Sequence, residues 1–331
     1  MTSRHTLETA ARAVYSIMPP TPQIRWPLLC ERLGCDAWIK HENHTAVGSF
    51  KLRGSAFYLS NLLSRSPRVR GVVAATTGNF GQGITAVARQ LGLAAVIVAP
   101  EGNNRDKSAS MRAFGAELIE HGDDFDECYE HALELAAERD LHMAPSFHSD
   151  LVLGVASYGL ELFRQVNDLD AVYVPIGQGS GICGVMAARD ALERKTEIIG
   201  VVSERLPTYA LSFARGEPVP TPPATTIADG TSVKVPVPEA LDLIRRGVSR
   251  VLTVSEEAIK DAMRFYFSDT HNVAEGAGAV ALAGLVQERE RRRGQRVAVV
   301  LSGGNVDRQR FGTILLDGAA EQAGPSAALT S

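Results

Sequence analysis

One lysine, set among small and apolar residues at the head of a helix-forming run, is the first group in this sequence able to do chemistry. It is Lys51, in Gly48-Ser49-Phe50-Lys51-Leu52-Arg53-Gly54. A solvated lysine is protonated and inert, whereas an amine held partly out of water loses proton affinity and becomes a nucleophile able to form a Schiff base. Three glycine-rich junctions could supply partners. Gly177-Gln178-Gly179-Ser180-Gly181 follows an apolar run and opens a helix, so its amides and the positive helix end can cradle a phosphate. The same stretch continues as Gly179-Ser180-Gly181-Ile182-Cys183-Gly184 with Glu204 further on, which also fits a dinucleotide fingerprint or a plain tight turn. Thr76-Thr77-Gly78-Asn79-Phe80-Gly81 gathers two hydroxyls, backbone amides and a side-chain amide at a helix start, a set suited to a carboxylate or to a capped turn. Ser302-Gly303-Gly304-Asn305 places a hydroxyl at a strand end, where open parallel sheets put ligands, or makes a turn.

The elements that must position these groups follow from hydrophobic periodicity. Apolar runs predict strands at 37–40, 72–75, 94–99, 117–119, 171–176, 198–202 and 296–301, alternating with helical patterns at 51–63, 84–91, 107–114, 124–139, 151–165 and up to 192. That rhythm is the signature of parallel sheets with crossover helices. An amphipathic helix over 6–17 is stopped by Pro19-Pro20, and Asp123 or Asp124 and Ser255 read as N-caps, the latter of a helix to 267. Residues 217–238, rich in Pro and Thr, predict an extended surface excursion able to act as a flap. The run Arg289-Glu290-Arg291-Arg292-Arg293 reads as a solvated helix end, and the tail after Gly318 as disordered. Residues 64–148 form one α/β unit by this reading.

Composition bounds the classes. With 331 residues, 45% hydrophobic and 22% charged, and a net charge of −4, the chain is long enough for two domains and carries no bias toward nucleic acid or anionic membrane. Cys30, Cys35, Cys128 and Cys183 show no paired ligand spacing, which predicts reduced thiols, no structural zinc and a cytoplasmic setting. No apolar run is long enough to span a bilayer, and 1–17 lacks a signal-peptide core.

Taken together and in this order, the lysine stretch, Thr76-Thr77-Gly78-Asn79, Gly177 to Gly181 and Ser302-Gly303-Gly304-Asn305 resemble the fold-type II pyridoxal phosphate-dependent enzymes, nearest the threonine/serine dehydratase and serine racemase branch. The resemblance runs from about residue 22 to 306 and favours the phosphate reading of the glycine loop. It implies two open, twisted, mostly parallel sheets flanked by helices. A large cofactor-binding domain would come from 1–63 and 149–331 and a small substrate-side domain from 64–148, with pyridoxal 5'-phosphate between them.

Carried onto this sequence, the resemblance implies that Lys51 binds the cofactor as a Schiff base and serves as base at the substrate α-carbon, with Phe50 packed beside the cofactor. Asn79 would meet the cofactor's phenolic oxygen, and Thr76, Thr77 and Gly78 the substrate carboxylate. Gly177, Gln178, Gly179, Ser180 and Gly181 would hold the phosphate, and Ser302 the pyridine nitrogen. A neutral hydroxyl there makes the ring a weaker electron sink, which suits β-elimination. Four departures matter. Gln178 and Ser180 stand where relatives usually carry glycine, Phe80 where histidine is usual, and Thr77 where a racemase carries serine. The acidic residues of a divalent-cation site are missing after Glu204, so no metal is expected. The implied activity is a dehydratase turning threonine, serine or a 3-substituted serine such as 3-phenylserine into a 2-oxo acid and ammonia, as a homodimer. A serine-type racemase, a nucleotide-binding protein and an inactive paralogue remain the alternatives. Since the chain ends near the catalytic fold, no appended regulatory domain and no feedback control are expected.

Overall fold

Along the chain, residues 2–317, which the computed structural model describes, alternate strands with helices. The order is α1 (Arg4–Tyr15), β1 (Gln23–Arg25), α2 (Pro27–Leu33), β2 (Asp36–His41), α3 (Lys51–Arg65), β3 (Gly71–Ala75), α4 (Asn79–Gln90) and β4 (Ala94–Ala99). It continues with α5 (Arg105–Phe114), β5 (Glu117–Glu120), α6 (Phe125–Glu138), β6 (His142–Met143), α7 (Ser149–Gln165), β7 (Ala171–Pro175), α8 (Ser180–Ala191) and β8 (Glu197–Ser203). The last part holds α9 (Thr208–Arg215), a 3-10 turn (Asp229–Thr231), α10 (Pro238–Gly247), β9 (Arg250–Val254), α11 (Glu256–Thr270), α12 (Gly276–Gln287), β10 (Arg296–Leu301) and α13 (Arg308–Asp317). The expectation of a disordered tail after Gly318 falls outside the described residues.

Two sheets result. One has the order β1-β2-β10-β7-β8-β9, parallel except for the β1–β2 pair, and the other is an all-parallel β5-β4-β3-β6 sheet. Strands β10, β7 and β3 are apolar and buried along nearly their whole length, as parallel strands covered by helices on both faces must be. This is the α/β architecture, with two parallel-rich sheets flanked by helices, that the resemblance implies. Asp124 and Ser255 cap α6 and α11, their side chains accepting from first-turn amides. Among the described residues, no helix is long and apolar enough to cross a membrane.

The helix carrying Lys51 is clamped from one side by a close crossing and from below by charge. Where α7 crosses α3, a Cβ on Gly154 would lie 2.4 Å from the Arg53 carbonyl oxygen, so only glycine permits the approach. Arg53 itself is fully buried. Its guanidinium donates to Glu42 Oε2 at 2.7 Å and Oε1 at 3.0 Å, to Glu161 Oε1 at 2.6 Å and Oε2 at 2.9 Å, to Ser157 Oγ at 2.9 Å and to Thr21 Oγ1 at 3.1 Å. Lys40, also buried, donates to Glu161 and to the Thr21 carbonyl.

Two sequence expectations change. Helix α4 starts at Asn79 rather than at 84, so the residues read as a loop form its first turns. Arg292 is not part of a solvated helix end. It follows the end of α12, is 3% exposed, and donates to the Tyr173 hydroxyl at 2.9 Å and to Glu197. Those partners, in the middle of β7 and at the start of β8, draw one member of the arginine run inward.

Removing one side of a buried charge pair leaves the other uncompensated. Arg53→Met is therefore expected to lower stability by about 3–5 kcal/mol. Urea unfolding checks this, and a midpoint equal to that of the parent would show that the network contributes nothing.

Candidate active site

The candidate residues sit on loops leaving the carboxyl ends of strands from both sheets, where ligands of open α/β sheets bind. In the larger sheet, β10 lies between β2 and β7. Ser302 follows β10, the lysine stretch follows β2, and the glycine loop follows β7, so the hydroxyl is flanked by the amine on one side and the amides on the other. Thr76 to Gly78 follow β3 of the smaller sheet. Backbone bonds lock two of these loops together: the Phe50 amide donates to the Ser302 carbonyl at 3.1 Å and the Gly304 amide to the Gly48 carbonyl at 2.9 Å. Phe50, Lys51, Thr76, Thr77, Gly78, Asn79, Phe80, Gly177, Gln178, Gly179, Ser180, Gly181 and Ser302 all line one cavity of about 530 Å³.

Lys51 is the first residue of α3, where the helix dipole disfavours a cation. Its ammonium stands 4.8 Å from the centre of the Phe50 ring. Burial pushes its pKa down to about 8, against the pull of the Glu275 carboxylate, which favours the charged form. The amine is thus available as a nucleophile and base near neutrality.

The glycine loop has the shape of an anion cradle. Gly179 takes φ +102°, and a Cβ there would lie 2.6 Å from the Ala240 Cβ. Among the described residues, the amides of Gly177, Gln178 and Gly179 donate to no protein acceptor, and the first-turn amides of α8 have no intrahelical partner. The Tyr209 hydroxyl holds the Gln178 carbonyl at 3.2 Å. The dinucleotide reading finds no support in the geometry, because Glu204 is exposed and lies outside the cavity wall.

On the opposite wall, Thr76 Oγ1 accepts from the Gly78 amide at 3.2 Å, and Thr77 is exposed to the cavity. Phe80 is half-buried; its ring packs against the cluster that includes Ile84 and Ile97 and also forms cavity wall, so it touches both core and site. Ser302 Oγ donates to the Ala277 carbonyl at a long 3.4 Å, which leaves its proton weakly held and free to turn to a ring nitrogen. A free amine of lowered pKa, an unsatisfied amide cradle and a neutral hydroxyl in one cavity fit pyridoxal phosphate.

Sequence reasoning passed over Lys107, Asp229 and Glu275 here, and gave Asn305 no role of its own within its motif. Lys107 Nζ donates to Asp229 Oδ2 at 2.6 Å across the cavity, Glu275 accepts from Asn79, and Asn305 donates to Asn79. The available signal was Glu275 alone among small and apolar neighbours in Val273-Ala274-Glu275-Gly276-Ala277.

Known proteins share the family and the fold. A family model described as pyridoxal-phosphate dependent enzyme matches residues 15–303. The chain is similar to the L-threonine ammonia-lyase of Thermotoga maritima, with 35% identity over 302 residues, 91% of this chain and 75% of that protein. It is also similar to the biosynthetic L-threonine dehydratase IlvA of Haemophilus influenzae, with 35% identity over 297 residues, covering 89% of this chain but only 58% of that longer protein. Among solved structures, the processed form of threonine deaminase isoform 2 from Solanum lycopersicum matches with a TM-score of 0.88 at 30% identity, covering 95% of this chain and 93% of that one.

The lowered basicity of Lys51 has a direct readout. With a pKa of about 8, the fraction of free amine rises with pH and levels off about one to two units above it, where an ordinary lysine is still mostly charged. Labelling of Lys51 in the cofactor-free protein, followed by mass spectrometry, should therefore plateau near pH 9–10. A rate that keeps climbing beyond that range would show an unshifted amine.

Proposed function

This chain belongs to the pyridoxal-phosphate dependent enzymes, and from that premise we propose that it is an ammonia-lyase converting a β-hydroxy amino acid to a 2-oxo acid and ammonia. The observation that carries the reading is the placement of Lys51 and Ser302 in one cavity: an amine of low basicity with a neutral hydroxyl where the ring nitrogen would lie. Pyridoxal phosphate, when bound, supplies an electron-withdrawing ring for the electron pair left at the substrate α-carbon.

The chain's own residues divide the remaining work. Lys51 Nζ would hold the cofactor covalently, and as a free amine of lowered basicity it is the base for the substrate α-proton. The hydroxyls of Thr76 and Thr77 and the Thr77 amide, at the N-terminal end of α4, orient the substrate carboxylate, while the Thr76 amide is held by the Val98 carbonyl and the Gly78 amide by Thr76 Oγ1. Amides of Gly177 to Gly181 would hold the phosphate, and the Ser302 hydroxyl would offer the ring nitrogen a neutral partner in place of a full charge. That neutral contact favours rapid loss of the β-hydroxyl over chemistry needing a long-lived carbanion. Thr77 supports elimination over racemisation, since its β-branched side chain is stiff at χ1 and poorly adapted to return a proton on the face opposite Lys51.

Within the β-hydroxy amino acids, the wall of Phe80, Phe125, Val233 and Val235 favours an apolar or aryl β-substituent, as in 3-phenylserine. Serine, which presents only a hydroxymethyl group, gains nothing from those rings.

Two experiments test these readings. Lys51→Ala is expected to abolish 2-oxo acid release while leaving the fold intact; substantial ammonia release by that variant would refute the assignment. Phe80→His is expected to lower kcat/KM for 3-phenylserine relative to serine by roughly two- to twelvefold, the range an aromatic pair of about 0.5–1.5 kcal/mol implies. An unchanged ratio would place Phe80 in the core alone.

A further inference from the structure

Glu275 precedes α12, is 3% exposed, and forms wall on two hollows: the main cavity, and a small one behind it that Asn104, Asp307 and Arg310 also line. Its Oε1 accepts from Asn79 Nδ2 at 2.5 Å, and Asn79 Oδ1 accepts from Asn305 Nδ2 at 2.8 Å. An acceptor on one end and a donor on the other fix the way the Asn79 amide faces. Because the amide nitrogen carries two hydrogens, one remains for the cavity. The backbone makes room for this arrangement, since a Cβ on Gly303 would lie 2.3 Å from Glu275 Oε1.

The second oxygen, Oε2, has no hydrogen-bond partner and stands 4.0 Å from Lys107 Nζ, whose own bond goes to Asp229. A buried carboxylate with a bare oxygen is costly, so its position calls for a use. Resting on the ammonia-lyase reading, we propose that Glu275 is a positioning residue for that reaction. It turns the Asn79 amide toward the cavity, and its negative charge steadies the ammonium formed when Lys51 Nζ accepts the substrate's α-proton.

The step is a plain proton transfer: the Cα–H bond breaks, an N–H bond forms on Lys51, and the electron pair stays with the substrate. It creates a cation in a buried site, where a fixed anion is worth far more than in water. The charged groups facing Glu275 are Lys107 from α5, Asp229 from the 3-10 turn and Lys51 from α3, with Asp307 and Arg310 across the smaller hollow. Burial pushes its carboxyl up to about 7; Lys107 draws it down, Asp229 adds to the rise, and Asn79 and Lys51 draw it down further. Above that pH the anion favours protonated Lys51, and below it the support is lost.

Two variants of the holoenzyme separate charge from shape. Glu275→Gln keeps an acceptor for Asn79 but removes the charge. It is expected to lower the pH midpoint of the cofactor's visible absorbance by about one unit, because the protonated nitrogen at Lys51 loses its counter-charge. The same variant should reduce kcat about tenfold or more with KM within about threefold, and should raise the isotope effect with α-deuterated substrate. Lys107→Met removes the cation that holds the Glu275 carboxyl down, so the acid limb of kcat is expected to move to higher pH. That second variant decides the matter by itself if Glu275→Gln does not fold. An unmoved absorbance midpoint and isotope effect in Glu275→Gln, or an unmoved acid limb in Lys107→Met, overturns the proposal. A shifted midpoint in a protein that forms no 2-oxo acid would instead leave the coupling standing and refute the ammonia-lyase reading.

Discussion

The structure depends first on a guanidinium that never meets water. Arg53 is two residues from Lys51 on the same helix, and its hydrogen bonds to Glu42, Glu161, Ser157 and Thr21 tie together four parts of the chain. Burying these charges is costly, and the cost is offset only because every donor of Arg53 finds an oxygen and Lys40 balances the second carboxylate. The consequence is positional. The residue just after the last strand position of β2, the middle of α7, the segment before β1 and the start of α3 cannot move independently, so the first turn of α3 is held at a defined place beside the carboxyl end of the larger sheet.

From that anchored helix the cavity follows by topology. Parallel strands deliver their loops to one edge, and here two sheets deliver theirs to a common space. Charge then links the walls: Lys107 of α5 bonds Asp229, and Lys234 of the excursion reaches Asp124 and Asp126 at the start of α6, at 3.3 Å and 3.1 Å. The Pro- and Thr-rich excursion is therefore cavity wall as well as surface, with residues Asp229 to Val235 lining the space.

The parts legible in sequence are those whose physics is local. Strands β4 and β10 lie at 94–99 and 296–301, where their apolar runs predict them, and Asp124 and Ser255 cap helices because their side chains satisfy amides two or three residues away. The turns at 177–179 and 302–305 were legible as loops for the same reason, whereas 79–83, read as loop, folds into the first turns of α4. Helix α12 escaped because it is apolar and small on every face, so it has no period to detect. Arg53, Arg292 and Glu275 escaped because a charged residue defaults to the surface in any reading of composition, and their partners lie far along the chain; Asn79 and Glu275 are 196 residues apart.

Two buried charge clusters flank Lys51, and their difference explains why one supports the fold and the other can serve chemistry. Around Arg53, two cations face two carboxylates, and no side-chain atom of the four lacks a hydrogen bond. A saturated network of this kind rigidifies, since any displacement breaks several charge-assisted bonds at once. Around Glu275, one carboxylate oxygen is bare, the nearest cation is shared with Asp229, and burial holds the carboxyl near the point of ionisation. Such a group responds to a new charge nearby, because neither of its protonation states is strongly preferred. Lys51 lies between the two, fixed through its backbone by the first and tuned through its amine by the second.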